Sequence, residues 1–324
     1  METRKSMEAD YAVKESFLLR KHTMDWNLLW KQRILRYQMT NQGGSPLSHW
    51  ESRKTAIRYL EMANETQQGR IKKILEDLPL TKQSKVLDIG AGPGVLAIPM
   101  ARFVDHVTAL DASPGMVDLL KENAKSSGLD NINCIVGRWE DVDPVSDLWS
   151  PYDIVIASLS LMKVFDLSAA VDKMEQVANG HIFLYWFSGE TSWEAWNRHF
   201  RPFSRHSTCG NATLPKFGLL RKILRQKGIE PDIEAFPYVH IDHFANFEDV
   251  VDYFAERFEI PYQNRGPALL DCIQRISEPQ KNGFVIRSRA VCRKIHWYSR
   301  GFAELLPEID IGMVDNGANV LLRH

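Results

Sequence analysis

KVLDIGAGPGVLAIPMA occupies residues 85–101. Val86-Leu87-Asp88-Ile89 reads as a short apolar strand. Gly90, Gly92 and Gly94 bend the chain, and the small and apolar residues after them read as a helix. A strand passing through a glycine bend into a helix turns backbone N–H groups and the positive end of a helix towards a ligand. With no Cβ on the glycines, that ligand can lie against the bend. A dinucleotide site asks for G-x-G-x-x-G after the strand. Here the spacing is G-x-G-x-G, the place of the third glycine is Val95, and Asp88 stands two positions before the first.

D-x-G-x-G-x-G resembles the first motif of the class I S-adenosylmethionine-dependent methyltransferases. In that family the acidic residue helps order the glycine loop and the methionine end of the cofactor. The resemblance implies that Asp88, Gly90, Ala91, Gly92, Gly94 and Val95 line the cofactor S-adenosyl-L-methionine. His106-Val107-Thr108-Ala109-Leu110 is the next strand, and it ends in Asp111, 23 residues after Asp88. A carboxylate at that tip suits two ribose hydroxyls. LDASPGMVDLL, residues 110–120, is similar to the family's second motif and adds Ala112, Ser113 and Met116 to the adenosine side. Ser113 also suits a helix N-cap, with Pro114 at the first helical position.

The resemblance implies an α/β fold: a doubly wound, mainly parallel seven-stranded sheet in the order 3-2-1-4-5-7-6, with N-terminal helices and a helical cap insertion. Residues 1–80 are expected to form a helical region covering the cofactor, with helices over Tyr11 to Gln38, Leu47 to Leu60 and Thr66 to Asp77. Residues 81–297 are expected to form the Rossmann-like domain, with a cap insertion at about 188–228 and a helical insertion at about 245–278. Helices are read over Leu167 to Ala178, Leu214 to Lys227, Phe247 to Phe258 and Ala268 to Ile276. The last strand is Gly283 to Trp297, and the tail 298–324 has no assigned structure. His181 to Phe187 is apolar almost without a break, as suits a strand covered on both faces.

Trp50, Arg53 and Tyr59 follow W-x-x-R-x-x-x-x-x-Y, which resembles the segment that many small-molecule methyltransferases fold over the cofactor. An aromatic face attracts the sulfonium cation, and a packing helix whose aromatics fill core is the competing reading. By the same resemblance Arg138, Trp139 and Glu140, after strand three, flank the adenine, with Trp139 stacking and Glu140 accepting from the amino group. Local packing is the other reading of Trp139. Ser158 and Leu159, at the end of the strand YDIVIAS, border the methyl-transfer site. The D/N-P-P-Y/F sequence of many base and amide methylators is not found there, which argues against adenine, cytosine or a glutamine amide as acceptor.

Methyl transfer needs alignment and exclusion of water, and a base only when the acceptor arrives protonated. Candidate bases are His199 and His240, followed by His206 and His243; each also reads as a surface or packing histidine. His240-x-x-His243 lacks a third ligand at fixed spacing, so no metal is expected. Arg198, Arg201 and Arg205 suit an anionic acceptor or a solvated helix face. Trp193, Trp196, Phe200 and Phe203 suit a lid.

Forty Lys and Arg against 41 Asp and Glu in 324 residues leave no basic surplus for a phosphate backbone, so nucleic acid is not an expected partner. Cys134, Cys209, Cys272 and Cys292 are scattered and suggest reduced thiols in a cytoplasmic protein. No run approaches the ~20 apolar residues of a membrane span, and the first residues lack an apolar signal core. Neither membrane nor export is expected. The implied function is methylation of a small-molecule acceptor under a helical cap. A protein side-chain methyltransferase, a non-catalytic cofactor-binding protein and a nicotinamide dehydrogenase are the alternatives.

Overall fold

The structure, a computed structural model, describes residues 24–40, 53–66, 68–205 and 213–303. Five parallel strands form its centre: β1 (Lys85–Ile89), β2 (His106–Asp111), β3 (Ile132–Val136), β4 (Tyr152–Ser158) and β5 (Ala178–Ser188). β6 (Asp232–Phe244) and β8 (Gly283–Tyr298) complete the path β3-β2-β1-β4-β5-β8-β6, with β8 antiparallel to both neighbours. That is the expected order. The penultimate place belongs to the eighth strand because a short β7 (Ser277–Gln280), missed in the sequence, pairs with the start of β8.

Both faces of the sheet are covered, and β5 shows why its run is apolar throughout. Ile182, Leu184 and Trp186 enter one core, while Phe183 and Tyr185 enter the other. On the first face lie α1 (Trp26–Thr40), α6 (Leu167–Val177) and α8 (Phe217–Gln226). On the second lie α3 (Gln68–Asp77), α4 (Ala97–Ala101) and α5 (Pro114–Ser126). Ser113 caps α5 as expected, its Oγ accepting from Met116 N–H at 3.2 Å. Asn179-Gly180, read as a stop signal for α6, belongs instead to β5, which begins directly at Ala178.

The β6–β8 ladder runs from Asp232 opposite His296 to Phe244 opposite Phe284, whereas β5 reaches only Val291. Its outer half therefore extends past the carboxyl end of β5. A satellite core forms there from α7 (Ser192–Phe200), α9 (Phe247–Arg257) and α10 (Pro267–Ile276), centred on Trp196, Phe200, Phe254, Leu269 and Ile273. The segment expected as one cap insertion is thus divided: α7 joins the satellite core, and α8 covers the sheet. A short α11 (Arg300–Ala303) follows β8. Among the described residues, no helix is long and apolar enough to cross a membrane.

α1 crosses the carboxyl edge of the sheet and is built into the core. Trp30 is fully buried, meets Trp186 edge-on at 5.8 Å, and donates its indole N–H to Val164 O at 2.8 Å. Asn27 and Lys31 both reach Asp166, the N-cap of α6. Truncating Trp30 removes a large buried ring and orphans a carbonyl. Trp30→Ala is expected to lower stability by about 3–5 kcal/mol, read as a shifted urea midpoint.

Candidate functional site

The glycine bend is stitched to the tip of β2. Gly90 and Ala91 N–H both donate to Leu110 O, at 2.7 and 3.0 Å. Gly92 N–H donates to Asp111 Oδ2 at 2.8 Å, and Ser113 N–H to Oδ1 at 2.9 Å. The two motifs are one hydrogen-bonded unit. Gly90, at φ +76°, is crowded: a Cβ there would come within 2.2 Å of Ser160 Cβ, whose hydroxyl donates to Ile89 O. At Gly92, φ +56°, the nearest atom to an added Cβ would be Tyr59 Cε1, 3.8 Å away. One expectation is corrected. α4, the helix after the bend, has only five residues and starts at Ala97, so the bend is ordered by Leu110 and Asp111 rather than aimed by a long helix dipole.

Beside the bend stand two acids and a guanidinium. Asp88 is 1% exposed, and its Oδ2 has no hydrogen-bond partner. Burial, then repulsion from Asp111, pushes its carboxyl up to about 7, with Arg70 pulling the other way. Burial also raises Asp111, offset by the N–H groups of Ser113 and Gly92. Arg70, at the start of α3, is 9% exposed and donates to Ser158 Oγ at the tip of β4 at 2.9 Å. Its charge is felt by Asp88, Tyr185, Tyr238 and Cys292, four side chains on four different strands. α3 is bolted down at its far end. Lys294 reaches Asp77 at 3.0 Å and Glu234 at 2.8 Å, and Lys73 reaches Glu234 at 2.9 Å. Just past Ser158, Leu159 holds φ +62°, an uncommon conformation for a branched side chain and one found preferentially at functional sites.

Above the bend, α2 (Arg53–Thr66) touches both α5 and β6. Tyr59 lies over Gly92, and Tyr238 of β6 packs edge-on against Phe187 at 5.1 Å. Arg53 turns away: it forms a two-pronged pair with Glu122 of α5, at 2.9 and 2.6 Å, out in solvent. Trp50 lies outside the described residues.

Gly137 N–H donates to Asp111 O, so the loop after β3 begins beside the site. Arg138 and Glu140, paired at 3.3 Å, line a cleft of about 250 Å³ with Phe165, Asp166 and Lys173. Trp139 also borders it but is no exposed stacking platform. The ring is 4% exposed, and its N–H is tied to Ala170 O at 3.1 Å. The local-packing reading holds for this residue.

The candidate bases are dispersed. His199 is exposed on α7 and bonds its own helix at Ala195 O. His243 is exposed on β6. His240 sits in β6 opposite Ser288; its side chain, like all of His206, lies outside the described residues. Arg198 pairs with Glu190 at the surface. Among the described residues, no three His, Cys, Asp or Glu side chains gather as a metal site.

Arg70 and Tyr238 escaped the sequence reading. For Arg70 a signal existed: it occupies the apolar face of α3 with Ile74, where a solvated arginine does not belong.

Asp88 binds a proton more tightly folded than unfolded, so the folded protein loses stability as the pH rises from about 4 to about 7. Above that range the cost is on the order of 4 kcal/mol. Asp88→Asn is therefore expected to stabilise the ligand-free protein at pH 8 and to leave it nearly unchanged at pH 4. Urea unfolding at the two pH values checks this.

Residues 80–198 match the family model described as a methyltransferase domain. An uncharacterised protein of Haemophilus influenzae is 30% identical over 196 residues, covering 60% of this chain and 68% of that protein. The ubiquinone/menaquinone biosynthesis C-methyltransferase UbiE of Zymomonas mobilis is 24% identical over 209 residues, covering 62% of this chain and 78% of that one. Among solved structures, the YcgJ protein of Bacillus subtilis superimposes with a TM-score of 0.49 at 16% identity, covering 71% of this chain and 97% of that one. With its methyltransferase domain and its D-x-G-x-G-x-G bend, the chain belongs to the class I S-adenosylmethionine-dependent methyltransferases.

Proposed function

We propose that the enzyme transfers the methyl group of S-adenosyl-L-methionine to a small-molecule acceptor enclosed between the glycine bend and the cap. The observation that carries the cofactor's placement is the pairing of two buried, opposite charges at the bend. Asp88 has an oxygen without a partner, and Arg70 stands within its electrostatic reach. A buried carboxylate oxygen without a partner is costly. The ammonium of an α-amino acid end fills that place at Asp88, with its carboxylate turned towards the Arg70 guanidinium. Asp111, already fixed by two backbone N–H groups, has acceptor capacity left for ribose hydroxyls. Ala112, Ser113 and Met116 follow it towards the adenine, and Gly90, Ala91, Gly92, Gly94 and Val95 form the floor.

The sulfonium supplies both electrophile and leaving group when bound. The chain's own residues then orient, enclose and exclude water. Tyr59 and Tyr238 form a wall facing the bend, and Ser158 and Leu159 form the edge where β4 ends. Burial raises the phenol of Tyr238 and pushes the Cys292 thiol up to about 11, so both are neutral near pH 7. Tyr238 faces the space as a donor and apolar surface, not as a base, and Cys292 stays in the core beneath it. The satellite core braces the outer β6–β8 ladder above this space, which favours an enclosed acceptor over an open groove. The name of the Zymomonas relative, a quinone-biosynthesis C-methyltransferase, points to the same acceptor class.

Arg70→Met is expected to weaken S-adenosylmethionine binding roughly 10- to 100-fold, the worth of one or two charged hydrogen bonds. The decarboxylated cofactor should bind this variant and the unaltered protein alike. Calorimetry with both ligands is the check, and equal losses for both would place Arg70 elsewhere. Asp111→Ala should weaken both ligands by a similar factor.

For the acceptor class, the enzyme is incubated with methyl-tritiated cofactor and a cell extract. Label should appear in the dialysable fraction. Label confined to protein would establish the side-chain alternative.

A further inference from the structure

α1 has a second apolar stripe that the core does not use. Met24, just before the helix, and Leu28, Leu35 and Met39 fall on one side at helical spacing, and they are 46–69% exposed. The opposite side carries the buried Trp30 and Ile34. A helix that buries one face normally turns charge outward on the other.

Within the two helices at this stripe the charge has one sign, with exposed Asp25 lying just before the first. α1 contains Lys31, Arg33 and Arg36 and no acidic residue. α8, packed alongside it, contains Arg221, Lys222 and Arg225 and again no acidic residue. Six cations and no anion on two neighbouring helices stand out in a chain whose net charge is −1. Lys31 is paired with Asp166, and Arg225 with Glu230. Arg33, Arg36, Arg221 and Lys222 are exposed, and Lys222 lies over the Trp26 ring at 3.8 Å. The two helices therefore present leucine and methionine within a cationic field.

We infer that the outer face of α1 and α8 docks on an anionic lipid surface, with Leu28, Leu35 and Met39 entering the interface and the arginines meeting the headgroups. Apolar side chains flanked by cations suit that boundary, where burial and charge attraction act together. A nucleic-acid face would need the cations without the stripe of protruding aliphatics. The contact proposed is peripheral, since no described helix is long and apolar enough to cross a bilayer. Its position has a consequence. α1 is anchored to Val164 and Asp166 in the same loop that begins with Leu159 and Ser160 at the bend. Docking would hold the rim of the cofactor crevice against the lipid, within reach of an acceptor dissolved there. The inference rests on this surface alone and survives if the acceptor is assigned differently.

The test is sedimentation of the full chain with sucrose-loaded vesicles of phosphatidylcholine containing one-third phosphatidylglycerol, and of phosphatidylcholine alone. The protein should sediment with the anionic vesicles, at least tenfold more weakly with the neutral ones, and should be released by high salt. Leu28→Gln with Leu35→Gln, and separately Arg33→Gln with Arg36→Gln, should each weaken anionic-vesicle binding roughly tenfold. Both should keep the calorimetric affinity for S-adenosylmethionine, which shows that they remain folded. Absence of sedimentation with anionic vesicles overturns the inference, as does binding unchanged in both variants. Light scattering that shows a dimer broken by the leucine substitutions would assign the stripe to a second copy. Retention on RNA in place of vesicles would assign the cations to nucleic acid.

Discussion

Two carboxylates at the tips of adjacent strands, both out of water, are the constraint to which the catalytic end of this enzyme answers. Asp111 is made tolerable by the chain itself, through the N–H groups of Gly92 and Ser113. Asp88 receives no such help, and Asp111 repels it. The arrangement is costly for the free protein, and Arg70 offsets it only partly. The bend then needs glycine for two separate reasons. At position 90 Ser160 stands too close for any side chain, and at position 92 the φ of +56° is one that other residues rarely adopt.

The remaining architecture brings Arg70 and the aromatic wall to that point. α3 is clamped through Asp77 by Lys294, and Glu234 is shared by Lys294 and Lys73, which hold its carboxyl down at about 2. These ties lie at the end of the helix away from Arg70, where they fix its axis without competing for the guanidinium. The β6–β8 ladder supplies Lys294 and Glu234 near one end and Tyr238 further out. One pair of strands thus anchors the helix that carries the cation and also supplies part of the wall facing the bend. The satellite core keeps the outer half of this ladder from being a bare two-stranded ribbon, which is only marginally stable in water.

Local patterns were the legible part. The bend, Asp111, the Ser113 cap and most helices depend on residues close in sequence and were read from pattern and spacing, while the strand order followed from the family resemblance. Side-chain partners far apart in the chain were not legible. Arg53 carried the expected motif yet is taken by Glu122, while Arg70, outside any motif, reaches Ser158, 88 positions on. Trp139 occupied the expected position but goes beneath α6, because Ala170 offers its indole an acceptor. Position in a motif told where the backbone goes. Whether the side chain turns to the crevice or to a neighbour was settled by charges and acceptors that spacing does not reveal. The division of the 188–228 segment has the same origin. α7 and α8 are both amphipathic, and only the second lies where the sheet has an uncovered face.

Net charge was the other quantity that concealed more than it told. A balance of 40 against 41 argues correctly against a globally cationic protein, yet it averages over surfaces that differ in sign. The acids that balance α1 and α8 lie elsewhere, at Asp88 and Asp111 inside the crevice and in the ion pairs of the helix layer. Charge of one sign has been drawn into the active site, where burial makes it act on a ligand at short range. Charge of the other sign remains on an outer face, where solvent screens it and only an extended partner can sum it. Burial thus separates the two signs of charge in one nearly neutral sequence, with carboxylates inside the crevice and cations on an outer face.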